Sequence, residues 1–158
     1  MWESGAIVSY LVDQYDTTGT ISYKSKPEKY KTLAWQHLQA TGQGPYFGQA
    51  AWFNLFHEEK LESAQKRYAK ELMRILSVLD TQLATSEYLV GSKCTYADLS
   101  FVPWNASIAG FMDNRPTEEW DLTKFSNWQR WHDSLMERSS VKKAFAMKEA
   151  QDVINKTT

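Results

Sequence analysis

Helical periodicity is the feature that most constrains what this chain can fold into. In each long segment of the 158 residues, apolar side chains return every three to four positions, the spacing of one buried helix face. No segment alternates between apolar and polar residues as a half-buried strand does. Seven glycines and four prolines are too few for a turn-rich β-sandwich. The sequence therefore predicts an all-α bundle.

The breaks between periodic segments predict six helices. Pro45 predicts a kink within the second helix, and Pro103 predicts a bend within the fourth. The fourth helix is apolar on all sides, which is typical of a helix at the centre of a bundle. The predicted helices span about residues 3–15, 27–57, 60–85, 95–112, 124–137 and 139–147.

Capping signals mark two helix starts. Ser4 is a candidate N-cap for the first helix, because its hydroxyl can accept a backbone N–H of the first turn. Thr95 and Asp98 have the spacing of a capping box, so we expect Asp98 to be a structural cap and not a catalytic acid. Cys94, directly before this box, is expected to pack in the core. No basic neighbour or helix N-terminus that would clearly lower the pKa of its thiol is evident beside it.

The composition disfavours several classes of function. Eighteen basic and nineteen acidic residues give a net charge of −1, which argues against nucleic-acid and membrane-surface binding. A single cysteine excludes an intrachain disulfide, and the three histidines lack metal-ligand spacing, so no metal site is expected. No apolar run approaches the roughly 20 residues that span a bilayer, and no signal peptide follows Met1. We expect a soluble, cytoplasmic protein.

Five motifs, in order along the chain, resemble cytosolic glutathione transferases of the nu-class and fungal nitrogen-regulator-like branch. Each motif is weakly specific by itself, and the specificity lies in their order. They are Glu3-Ser4-Gly5-Ala6-Ile7 with Tyr10-Leu11, Gly44-Pro45-Tyr46-Phe47-Gly48-Gln49-Ala50, Arg67-Tyr68-x-x-Glu71 with Val78-Leu79-Asp80, Tyr88-Leu89-Val90-Gly91 with Thr95-x-x-Asp98, and Asn127-x-x-Arg130-Trp131.

The resemblance implies a division of the chain. Residues 1–16 resemble the last helix of a thioredoxin-like domain, 17–26 a linker, 27–150 the helical C-terminal domain and 151–158 a tail. A complete family member carries roughly 80 residues of thioredoxin-like fold before the helical part. Its sheet, its glutathione-binding cis-proline and its thiol-activating Tyr, Ser or Cys have no counterpart here. The chain is therefore either a shortened transferase or a fragment of one, and its catalytic residue is unknown.

The resemblance implies that glutathione binds to Glu3, Ser4 and Arg67. A helix start offers free N–H groups to the γ-glutamyl carboxylate, and Glu3 can hold the ammonium. Plain capping by Ser4 is the alternative. The guanidinium of Arg67 suits a carboxylate, and the alternative for it is an ion pair with Glu71 one turn on.

The resemblance also implies an apolar substrate pocket after the Pro45 kink. An aromatic wall with an amide suits a flat, conjugated substrate, and the alternative is that these residues only pack the bundle. The expected lining residues are Tyr46, Phe47, Gln49, Trp52 and Phe53, with Trp104 and Asn105 as weaker additions.

The function implied is a glutathione-dependent transferase, or an olefin cis/trans isomerase, that acts on an apolar conjugated electrophile. The aromatic wall favours isomerisation in a fungal biosynthetic pathway. The rival is a non-catalytic helical module that binds glutathione or mediates assembly, since fold alone does not establish activity. We expect a homodimer through the first two helices, because the apolar face of Ile7, Val8, Leu11 and Val12 has no thioredoxin-like sheet to cover it.

Overall fold

The computed structural model describes residues 1–112 and 117–157, with side chains through residue 151. These residues form helices and connecting turns and contain no strand, which confirms the all-α prediction. Along this described part of the chain, no helix combines the length and apolarity needed to cross a membrane. The helices are α1 Ser4–Tyr15, α2 Lys26–Leu38, α3 Gly44–Ala51, α4 Glu62–Leu83, α5 Tyr96–Phe111, α6 Ser126–Met136 and α7 Ser139–Thr157.

α2 and α3 form one interrupted helix, as Pro45 predicts. The interruption is a π-helical turn, Gln39–Gln43, in which the Gly44 amide donates to the Gln39 carbonyl five residues back. This wider turn precedes the proline, whose ring and missing N–H disrupt the regular bonding to the preceding turn. A second π-helical turn, Trp52–Phe56, ends α3.

α5 lies at the centre of the bundle, as its apolar sequence predicts. It packs against α2, α3 and α6, and Phe101 and Trp131 meet edge-on with ring centroids 6.0 Å apart. Pro103 is accommodated within α5 without ending it. A short 3₁₀ turn, Leu122–Lys124, precedes α6. Aliphatic side chains from α4 complete the core: Leu72, Ile75, Leu76, Leu79 and Leu83.

The capping box at the start of α5 is confirmed. Asp98 Oδ2 accepts the Thr95 backbone N–H at 2.8 Å and the Thr95 hydroxyl at 2.7 Å. Asp98 Oδ1 accepts two further bonds, from the Leu89 backbone N–H at 2.9 Å and from Trp131 Nε1 at 3.0 Å. One buried carboxylate therefore joins the 89–95 turn, α5 and α6.

Two local predictions are wrong. The N-cap of α1 is Glu3, not Ser4, and no side chain caps this helix. The last helix does not end near Met147 but continues to Thr157, because residues 148–157 contain neither proline nor glycine to stop it. The predicted tail is thus helical over 151–157, and Thr158 lies outside the described residues.

The segment 17–26, predicted as a linker, is held firmly against the loop that precedes α5. Lys93 Nζ donates to the Gly19 and Ser22 carbonyls, and the Tyr96 backbone N–H donates to Ile21 O at 2.8 Å. Asp16 accepts the Ser22 hydroxyl at 2.6 Å and so closes the segment on itself. These bonds position α1 beside α5.

Candidate functional site

A cleft of about 890 Å³ lies between α1 and α5. The segment after α1 and Gln39 of the π-helical turn complete its walls. Its lining is mostly apolar, as small-molecule sites usually are, and a cavity of this size suits a drug-sized ligand. The apolar lining comes from Val8, Leu11, Val12 and Tyr15 of α1, Ile21 of the following segment, and Leu99, Pro103 and Trp104 of α5.

Trp104 forms a rigid part of the cleft wall. Its ring lies edge-on to Phe47 at 6.2 Å and to Phe111 at 6.3 Å, both of which are core residues. Its indole also lies against Gly44 and Gly48, where a Cβ would come within 3.7 and 3.6 Å of it. The packing on one side holds the ring in place while it lines the cleft on the other.

The start of α1 lies at the rim of this cleft. Ser4 lines the cleft, and Glu3 before it has φ 65°, the one positive φ of a non-glycine residue among those described. Strained backbone of this kind is concentrated at functional sites. Because no side chain caps α1, the N–H groups of its first turn remain open to a ligand.

The predicted glutathione residues are only partly brought together. Ser4 lines the cleft and Glu3 adjoins it, whereas Arg67 is exposed on α4 and does not line the cleft. The Arg67 guanidinium lies 6.0 Å from the centroid of the Tyr68 ring. The alternative prediction, an ion pair between Arg67 and Glu71, is also corrected, because Glu71 pairs with Arg74 at 2.8 Å.

The predicted substrate wall is dispersed, which corrects the expected pocket. Of its seven residues only Trp104 lines the cleft. Phe47 and Asn105 are buried in the core, and Gln49 and Trp52 are exposed on other surfaces.

The remaining two predicted wall residues face α4. Arg74 lies over the Tyr46 ring at 5.8 Å, and Phe53 stacks between His57 at 5.0 Å and Tyr68 at 5.4 Å. Helical spacing indicates which residues share a face but does not show which neighbouring element that face contacts.

Cys94 is unsuited to activating a thiol or to attacking a substrate. Burial, and then the nearby Asp98 carboxylate, raises the pKa of the Cys94 thiol to about 11. The thiol is therefore protonated at neutral pH and packs in the core, as the sequence predicts. Among the described residues no group of three potential metal-ligating side chains comes together.

Gln39 and Tyr96 are among the polar residues of the cleft that sequence reasoning missed. Burial, and to a lesser degree the charge of Asp13, raises the pKa of Tyr96, so its hydroxyl stays a hydrogen-bond donor at neutral pH. Neither residue belongs to a recognisable motif. Only the packing of α2 and its π-helical turn against α5 brings them to one cleft.

The bundle that α3 to α6 form matches a known family of helical domains. The family model described as "Glutathione S-transferase, C-terminal domain" matches residues 44–139. The chain therefore belongs to the glutathione S-transferase C-terminal domain family.

Curated relatives support this assignment. The chain is 39% identical over 156 residues to the glutathione S-transferase-like protein tpcF of Aspergillus fumigatus, covering 92% of this chain and 68% of the relative. It is 42% identical over 153 residues to glutathione S-transferase 2 of Schizosaccharomyces pombe, covering 92% and 66%. The chain thus spans about two thirds of their length.

Solved structures are similar to this fold. The glutathione transferase URE2P8 from Phanerochaete chrysosporium, solved with oxidized glutathione, has a TM-score of 0.88 and 43% identity over 97% of this chain and 68% of that one. Ure2p in complex with glutathione has a TM-score of 0.81 and 32% identity over 91% and 68%.

Proposed function

We propose that this chain binds glutathione at the start of α1 and presents its thiol to an apolar electrophile held in the cleft. The observation that carries this proposal is the position of Ser4, which is both the first residue of an uncapped helix and part of the cleft lining. The glutathione complexes of URE2P8 and Ure2p support it.

The start of α1 can recognise both charges of the γ-glutamyl group. The open N–H groups and the positive end of the helix dipole attract its carboxylate, and the Ser4 hydroxyl adds a donor. The exposed Glu3 carboxylate can pair with its ammonium. Arg67 is exposed on α4 and does not line the cleft. Its proposed role is long-range attraction of the anionic tripeptide.

The apolar cleft suits either of two reactions of the glutathione thiolate. In conjugation, sulfur forms a bond to an electron-poor carbon and remains there, while a proton or leaving group balances the charge. In isomerisation, sulfur adds to a conjugated olefin, the former double bond rotates, and expulsion of the thiolate restores the olefin. The protonated Tyr96 hydroxyl is a candidate donor to the thiolate in both.

Removing the side chains of Glu3 and Ser4 is expected to weaken glutathione binding. Glu3→Ala with Ser4→Ala should raise the dissociation constant about 30-fold, near 2 kcal/mol, through lost charge-assisted hydrogen bonds. Calorimetric titration measures this directly. The matched control is Glu62→Ala with Ser63→Ala, the same exposed pair at the start of α4, which should bind like the wild type.

Equal binding by the Glu3/Ser4 variant and the wild type would contradict this site. A wild type that gives no heat and no thermal shift at millimolar glutathione would instead favour the non-catalytic module.

We also propose that the chain forms a homodimer through its first two helices, α1 and α2. Ile7 and Tyr10 are exposed and do not line the cleft, so they leave apolar surface on α1 uncovered in one chain. Light scattering of the wild type at micromolar concentration should give twice the mass of one chain. The double variant Ile7→Glu with Tyr10→Glu should give the mass of a single chain. Val78→Glu, at an exposed valine of α4, is the control that should stay dimeric. A wild type with the mass of one chain would refute this pairing.

A further inference from the structure

We propose that the cleft selects neutral, planar molecules that carry a hydroxyl group, with Gln39 Oε1 as the acceptor for that hydroxyl. This inference rests on the proposed function only in assigning the cleft to the electrophilic substrate.

A chain of side-chain amides leads from the cleft into the core. Gln39, which lines the cleft, donates through Nε2 to Gln43 Oε1 at 3.3 Å. Gln43 is fully buried and donates through Nε2 to Asn105 Oδ1 at 2.8 Å. The same Nε2 lies 3.5 Å from the backbone carbonyl of Phe101, a second acceptor.

The Phe101 carbonyl sets the direction of this chain of amides. A backbone carbonyl can only accept a hydrogen bond, and Gln43 Nε2 lies 3.5 Å from it, in an orientation that leaves Asn105 Nδ2 buried without a partner. Gln43 Oε1 then faces Gln39 and accepts a hydrogen bond from Gln39 Nε2. Gln39 Oε1 takes no part in this chain and can accept a hydrogen bond from a molecule in the cleft, beside the second N–H of Nε2.

The far end of α1 adds negative charge to the same cleft. Burial of the Asp16 carboxyl raises its pKa, but the hydrogen bonds from Ser22, Thr20 and Ile21 outweigh burial and leave the pKa lowered. Asp16 is thus ionised at neutral pH and lines the cleft. Its charge, which nearby Lys24 offsets in part, favours a ligand that turns a polarised O–H hydrogen inward over one that carries a carboxylate.

Trp104 determines the shape of the ligand. Its ring is held in place by edge-on contacts with Phe47 and Phe111, so it gives the cleft an aromatic wall of fixed position. Planar conjugated molecules stack well on such a surface, and a cleft of about 890 Å³ admits two or three fused rings.

The test compares 2-naphthol with 2-methoxynaphthalene, which has the same ring system but cannot donate a hydrogen bond. Calorimetry without glutathione should show that the wild type binds 2-naphthol about tenfold more tightly, the worth of one hydrogen bond. Gln39→Met keeps the length of the side chain and removes the acceptor, so the preference should vanish. Gln49→Met, at an exposed glutamine outside the cleft, should retain the full preference.

Equal affinity of the wild type for the two probes overturns the proposal, and this comparison needs no variant to fold. A preference that survives in folded Gln39→Met assigns the acceptor elsewhere and also overturns it. Binding of neither probe overturns the cleft as a small-molecule site and points to a protein element as its occupant. A parallel glutathione titration separates these failures from failure of the proposed function, which would leave the 2-naphthol preference intact.

Discussion

Replacement of Asp98 by alanine is expected to lower the free energy of unfolding by about 3 to 5 kcal/mol. The carboxylate is fully buried and accepts bonds from the Leu89 and Thr95 backbone, the Thr95 hydroxyl and the Trp131 indole. Alanine leaves these donors buried without an acceptor, and each unsatisfied group costs about 1 to 3 kcal/mol. The loss is therefore larger than the ~1 kcal/mol typical of a cap alone.

Urea unfolding measures this change, and Asp121→Ala is its matched control. Asp121 also caps a helical turn, through the Thr123 N–H and hydroxyl, but those bonds are exposed to water. Its removal should cost less than about 1 kcal/mol. If the two variants lose similar stability, the bonds from Leu89 and Trp131 contribute nothing beyond capping, and the account of Asp98 fails.

Gly91→Ala is expected to lower the free energy of unfolding by about 3 kcal/mol. Gly91 has φ +63°, a conformation that costs a residue with a Cβ roughly 1 to 2 kcal/mol. An added Cβ would overlap the Tyr23 hydroxyl oxygen and lie 2.9 Å from Tyr23 Cζ. Tyr23 would have to move, which breaks the bond from the Ser92 N–H and the contact of Lys93 with the Tyr23 ring.

Two further variants separate the backbone strain at Gly91 from the overlap of an added Cβ with Tyr23. Gly110→Ala places a Cβ in α5 where no heavy atom lies within 4 Å, so it should raise stability by up to about 1 kcal/mol through helix propensity. Tyr23→Phe combined with Gly91→Ala removes the overlapping oxygen and should recover part of the loss. Thermal and urea unfolding report both effects. A Gly91→Ala protein as stable as the wild type would show that this turn is not tightly packed against Tyr23.

The local features of the fold were predictable because each depends on neighbours in sequence. The capping box needs only Thr95 and Asp98, three positions apart. The interruption before Pro45 follows from one missing N–H and one ring. The place of α5 at the centre follows from the apolar residues on all its sides.

The candidate site was less predictable, because its residues are adjacent only in space. Ser4 and Trp104 were anticipated, through the resemblance and not through geometry, while Gln39 and Tyr96 carry no local signal. The prediction of an aromatic wall was wrong because Tyr46 and Phe53 face α4. There Arg74 lies over the Tyr46 ring, and Tyr68 stacks on Phe53.

The sequence by itself determined the helices, most of their ends and the family, since periodicity, capping and motif order are properties of the linear chain. Only the tertiary structure decided that Asp98 reaches Trp131, that Lys93 holds the segment after α1, and that an amide chain ends in an acceptor at Gln39. Each of these depends on side chains whose partners lie on other segments or whose directions are set by packing. Helical spacing specifies which residues share a face, and only packing specifies what that face meets.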